Sequence, residues 1–150
     1  MDQDRLYVAG HSAGGHLTAM LMCAVWPALD PALPKDLWKG GLAISGVYDL
    51  RPLLEVEWLN SDLKLDPASA LQLSPAFLPP ATRAPVMTCV GRDESSEFRR
   101  QNALLGSRWR GAFAGDIAAP GKHHFSVVDG LADQKSALFA GARRLMKLDQ

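Results

Sequence analysis

The sequence has no apolar run approaching the ~20 residues a bilayer span requires, so a membrane role is not expected. It has no surplus of either charge. Sixteen basic residues cancel sixteen acidic ones, leaving nothing to grip a phosphate backbone or an anionic lipid surface. No nucleic acid and no membrane are therefore expected among its partners. Cysteine is scarce: Cys23 and Cys89 each sit inside an apolar stretch and read as buried free thiols rather than a disulfide. Residues 1–5 have no signal-peptide character, which gives a cytoplasmic expectation. The nucleotide loops G-x-G-x-x-G and G-x-x-x-x-G-K-[ST] are absent, as is the metal motif H-E-x-x-H. The adjacent pair His123-His124 has no carboxylate or cysteine at ligand spacing, so neither metal nor cofactor is expected. There is no repeat, low-complexity tract or interdomain linker.

What the 150 residues do contain is an alternation of apolar runs and amphipathic stretches. Arg5 to Ala9 reads as a short strand, and Ala13 to about Trp26 as a mostly buried helix (Leu17, Met20, Leu21, Cys23, Ala24) that Pro27 stops. A Pro-rich loop over 27–39 leads to a second strand, Gly41 to Val47, of nearly continuous apolar character. Such runs mark strands covered on both faces. A long connection over 49–84 includes Asp66-Pro67, an N-cap and first-turn proline for a short helix through Leu73. Pro85 to Val90 is a third strand, Glu97 to Trp109 a helix with one buried stripe, and Ala112 to Ala118 a weaker strand interrupted by Gly115. Leu131 to Leu148 is the last helix, with Arg143, Arg144 and Lys147 near its C-terminal end, where cations are favoured. The order implies a parallel α/β sheet of about four strands with flanking helices.

Between the first strand and helix stands Gly10-His11-Ser12-Ala13-Gly14, a G-x-S-x-G pattern. The pattern alone is short; an apolar strand before it and an apolar helix after it make it specific. A chain reversing within a few residues leaves no room for a Cβ at Gly10 or Gly14. Ser12 is then held off the strand tip, with the Ala13 N–H aimed at the same point from the positive end of the helix, as an oxyanion donor. A helix N-cap role would explain Ser12 but not the glycines around it.

A serine nucleophile needs a base, and the base an orienting acid. Asp93, directly after the third strand, is the first candidate acid, with Asp49 and Glu94 as alternatives; Glu94 is expected to cap the next helix or face solvent. Of four histidines, His11 and His16 come too early in the chain. His124 is the preferred base, with Phe125 as an apolar anchor for its loop, and His123 is the other possibility.

The stretch from Asp4 to Leu17 resembles the elbow of serine esterases related to the hormone-sensitive-lipase group, and more closely the arylformamidase (kynurenine formamidase) branch. Ile44-Ser45-Gly46-Val47-Tyr48-Asp49-Leu50, Leu73-Ser74-Pro75 and the segment from Val90 to Gln101 agree. The resemblance implies a partial α/β-hydrolase fold with upstream strands missing. Residues 1–150 would be the C-terminal portion of the domain, and the 49–84 connection would pass over the active-site rim. It carries the triad onto Ser12, Asp93 and His124, and needs no cofactor. Its members have an upstream H-G-G-type loop with further oxyanion donors, which this sequence does not contain. The first strand would then lack a neighbour, to be supplied by the missing N-terminal half or by a homo-oligomer. The implied substrate is a small-molecule formamide, N-formylkynurenine, cleaved to kynurenine and formate in tryptophan breakdown. A short-chain ester is the alternative substrate, and a catalytically silent interaction module the alternative role. Leu53, Leu54, Trp58 and Leu59 are candidates to line an apolar pocket.

Overall fold

The apolar runs become four parallel strands: β1 (Tyr7–His11), β2 (Gly40–Ile44), β3 (Val86–Gly91) and β4 (Phe113–Ala119), in spatial order β1-β2-β3-β4. The computed structural model describes residues 2–148. The inner strand β2 is the one the sequence writes as nearly continuous apolar text, and every residue of it is buried. Side chains alternate between two cores, as the pleat requires. Leu42 and Ile44 join Met87, Cys89, Ile117, Leu138 and Leu145 on one face, while Ala43 joins Met22, Val86, Leu105 and Trp109 on the other.

The helices are α1 (Ala13–Cys23), α2 (Trp26–Leu29), α3 (Glu57–Leu63), α4 (Pro67–Gln72), α5 (Ser96–Arg108) and α6 (Ala137–Leu145). Among the described residues no helix is long and apolar enough to cross a membrane. Asp66 caps α4 as expected, its side chain accepting from the Ser69 N–H while Ser69 reaches back to the Asp66 N–H.

Several boundaries differ from the sequence expectation. The first strand runs on through His11, so the reversal is confined to Ser12. The first helix ends at Cys23, not Trp26. A continuous helix would drive the Pro27 ring into the Cys23 carbonyl, so the chain turns extended at Ala24 and restarts at Trp26 with Pro27 in the first turn. The buried face of α1 is Gly15, Thr18, Ala19 and Met22, while Leu17 is 56% exposed. Cys89 is buried and Cys23 half-buried; both are free thiols, and burial pushes each up to about 12. The last helix begins at Ala137, because Val128–Leu131 forms a separate 3-10 turn and Ser136 caps the helix by accepting from the Phe139 N–H.

Candidate active site

All four strands point their C-terminal ends at one rim, and the segment after each contributes a side chain there. Ser12 follows β1 directly. It holds φ 58° and ψ −117°, a left-handed conformation that a non-glycine residue keeps only when its surroundings over-determine it. Here they do. The Ser12 N–H donates to the Ile44 carbonyl at 2.9 Å, and its own carbonyl accepts from Gly15 and His16. A Cβ on Gly10 would lie 2.1 Å from the Gly14 oxygen, and one on Gly15 would lie 2.8 Å from the Ile44 oxygen. Gly14, expected to be equally crowded, has open space where its Cβ would be; the second tight position is Gly15. Among the described residues the Ala13 N–H has no hydrogen-bond partner, so it is free to donate beside Ser12.

His124 comes from the loop after β4. Its Nε2 lies 3.0 Å from the Ser12 Oγ and its Nδ1 2.8 Å from the Glu94 Oε2. A carboxylate can only accept, so Nδ1 carries the hydrogen and Nε2 is left to accept from the serine hydroxyl. Three rings pack against it: Phe98 at 4.4 Å, His11 at 4.7 Å and Phe125 at 5.4 Å between centroids. The His11 Nε2–H also donates to the His124 carbonyl at 2.7 Å, which fixes the backbone of the base. Phe125, the expected anchor, is 77% exposed, but its ring does meet the imidazole edge-on at 5.4 Å between centroids. His123 bonds its own loop, its Nδ1 accepting from the Phe125 and Ser126 N–H groups.

The acid beside His124 is Glu94, not Asp93. The turn from Gly91 to Glu94 closes by a Glu94 N–H to Gly91 carbonyl bond, which leaves Asp93 exposed and turns Glu94 inward. The longer glutamate side chain then folds back under the imidazole. Its carboxylate is fully buried, with Oε1 accepting from the Ser45 hydroxyl at 2.5 Å and from the Gly91 N–H at 2.7 Å. Among the described residues the Asp93 side chain has no hydrogen bond or ion pair. Its backbone instead stitches the acid loop to the base loop, the Asp93 N–H donating to the Lys122 carbonyl. The expectation that Glu94 faces solvent or caps α5 is likewise corrected; Ser95 is the cap.

Asp49, the other alternative, is committed elsewhere. Arg51 grips it at both oxygens, at 2.9 and 3.1 Å, and Arg100 approaches at 3.5 Å; the Arg51 hydrogen bond leads in holding its carboxyl below the usual range. Ser45, Phe98 and His11 are the site residues that sequence reasoning missed. Ser45 was accessible to it, because it follows β2 on the same rim. Trp58 is 76% exposed, and of the four apolar candidates Leu53 lines a cavity next to the site. Among the described residues no group of three or more His, Cys, Asp or Glu side chains could hold a metal ion.

The same arrangement of strands and sequence recurs in known proteins. Kynurenine formamidase of Salmo salar is 32% identical over 140 residues, and that of Danio rerio 34% identical over 143 residues. These matches take in 85% and 89% of this chain but only 45% and 46% of the relatives, so the chain spans about half their length. A crystal structure of a candidate thioesterase from Silicibacter sp. superposes with a TM-score of 0.75 at 36% identity, covering 88% of this chain and 48% of that one. No protein-family model matches. The four-stranded parallel sheet, with the serine turn after its first strand, is a partial α/β-hydrolase fold, and the chain is similar to these relatives over about half of their length.

Proposed function

We propose that Ser12, His124 and Glu94 form a catalytic triad that hydrolyses an N-formyl arylamide, N-formylkynurenine being the substrate suggested by the kynurenine formamidase relatives. The observation that carries this reading is the unbroken relay from the Ser12 Oγ through His124 to the Glu94 carboxylate, with both links inside general-base reach. Ser12 attacks the formyl carbon as His124 Nε2 takes the hydroxyl proton. Glu94 keeps the imidazole in the accepting tautomer and stabilises the imidazolium that forms. The Ala13 N–H meets the oxyanion. His124 returns the proton to the departing aryl nitrogen, and water, deprotonated by His124, then releases formate from Ser12.

Treating the chain with a serine-directed fluorophosphonate and mapping the peptides is the direct test. Ser12 is expected to be labelled, and Ser12→Ala to take no label. An unlabelled wild-type chain would sink the hydrolase reading and leave the silent interaction module. Cleavage of a formyl-arylamide in preference to a short aryl ester supports the formamidase assignment; the reverse preference makes the chain a carboxylesterase.

His11 acts as a positioning residue through the His124 carbonyl and ring. Removing one hydrogen bond of this kind costs about 0.5–1.5 kcal/mol, so His11→Ala should lower kcat by up to about tenfold with KM little changed. His11→Gln, which keeps an N–H donor, should recover part of the loss. Equal loss in both variants would show that the bond does not matter.

A further inference from the structure

The sheet ends at β4, which pairs only with β3. The Ala119 carbonyl accepts from the Arg92 N–H, so Ala119 and, two places before it, Ile117 turn their backbone groups toward β3. Asp116 and Ala118 turn theirs outward, and among the described residues nothing meets them. Unpaired N–H and C=O groups along a strand are a template for another strand. Cavities flank this edge on both faces of the sheet. On the α5 side, Val90, Ala103, Gly106 and Ala118 are among the residues lining one of about 590 Å³. On the α6 side, Ala119, Val127, Ala137 and Leu138 give a smaller one, of about 260 Å³, a mostly apolar wall.

The larger cavity carries its charges in a fixed order. Arg92 follows β3 at the rim, and Arg99 donates to the Arg92 and Glu94 carbonyls, so both guanidinium groups line the rim end. Among the described residues the Arg92 guanidinium has no partner. Further from the rim stands Asp116. Its Oδ1 accepts from the Thr88 hydroxyl at 2.9 Å and the Asn102 amide at 2.8 Å, while its Oδ2 has no partner among the described residues. Asn102 is 6% exposed, and its own Oδ1 is buried without a partner. This wall therefore holds acceptors unmatched by donors. We propose that the β4 edge binds an extended peptide segment running antiparallel to it, with a lysine opposite Asp116 and a glutamate two residues earlier, toward Arg92 and Arg99. Side chains two apart on a strand share a face, so both charged groups enter the larger cavity and the residues between them, which are apolar, turn to the smaller one. The ammonium supplies the donor that Asp116 Oδ2 lacks. A second copy of β4 is a poorer occupant. Antiparallel self-pairing sets the two Asp116 carboxylates opposite or diagonal to each other, or sets Asp116 against Pro120, which has no N–H.

A hexapeptide blocked at both ends, Thr-Glu-Val-Lys-Val-Thr, carries this pattern, and Thr-Lys-Val-Glu-Val-Thr reverses its charges. Titrated into the isotope-labelled chain, the first is expected to shift the Asp116 and Ala118 amide resonances saturably. It should bind about tenfold more tightly than the second, since like charges set opposite each other repel. Asp116→Asn should weaken the first peptide by about fivefold, as a partly exposed ion pair allows. Ala118→Pro removes an outward N–H without touching the ladder to β3, so it should abolish binding while the circular dichroism stays unchanged. Should that variant not fold, Asp116→Lys takes its place and is expected to prefer the reversed peptide. Equal binding of the two peptides overturns the charge assignment, and no saturable shift with either overturns strand addition. A chain that sediments as a dimer, and as a monomer once Ala118 is proline, makes a second copy the occupant and overturns the proposal as well.

Discussion

Replacing Glu94 with glutamine is expected to lower kcat for an activated ester by about 10⁴, whereas Asp93→Asn should leave it within about twofold. The size is that of amidating the acid of a serine-protease triad, where geometry survives but the imidazole is held in the wrong tautomer. The same logic applies here. An amide in place of the Glu94 carboxylate cannot turn its N–H₂ toward the Ser45 and Gly91 donors without opposing them. Its oxygen would therefore stay with those donors and its nitrogen would face His124. That nitrogen donates, which forces the His124 Nδ1 to accept and places the ring hydrogen on Nε2, against the serine hydroxyl. Asp93 has no such connection, since its carboxylate is exposed and the residue contributes only its backbone N–H to the loop junction. Measuring both variants on one ester, with circular dichroism to confirm folding, gives the comparison. A large loss in Asp93→Asn and none in Glu94→Gln would reverse the assignment.

The largest expected effect on stability is at Gly10. A methyl group there would sit 2.1 Å from the Gly14 carbonyl oxygen, a backbone atom that cannot swing aside. Relief would require opening the serine turn, which is already held in an unfavourable conformation. Gly10→Ala should therefore destabilise the chain by about 3 kcal/mol, the upper part of the range for overpacking. Gly14→Ala is expected to be neutral or stabilising by up to about 1 kcal/mol, because its Cβ meets nothing within 4 Å and alanine suits the helix better. Urea unfolding midpoints of the two variants separate these outcomes. Equal destabilisation would mean that the two glycines share one steric role.

The contrast between those glycines shows how far the sequence could be read. Ser12 and His124 were legible, because each follows a strand in a pattern with few competitors. The sheet was legible because β2 is apolar throughout and β3 nearly so, with Thr88 its one polar residue, and inner parallel strands need that. The choice between Asp93 and Glu94 was not. Two acids stand side by side at the end of the same strand, and the turn from Gly91 to Glu94 decides which faces inward. Local composition does not encode that turn; the Gly91 N–H and the Ser45 hydroxyl do, and Ser45 arrives from a strand 49 residues away in the chain. The start of α6 was hidden for a similar reason. Leu131 fits the helical period but spends its apolar side chain in a preceding 3-10 turn, and Ser136 sets the true beginning.

The Lys122 carbonyl, which accepts from the Asp93 N–H, also lies so near Gly91 that any side chain there would collide with it at 2.1 Å. The acid's turn and the base's loop are thus one interlocked joint, not two independent arms. Loosening either one parts imidazole from carboxylate while the four strands beneath remain zipped. On gentle heating, the capacity to activate Ser12 would fade first, and the sheet would melt afterwards.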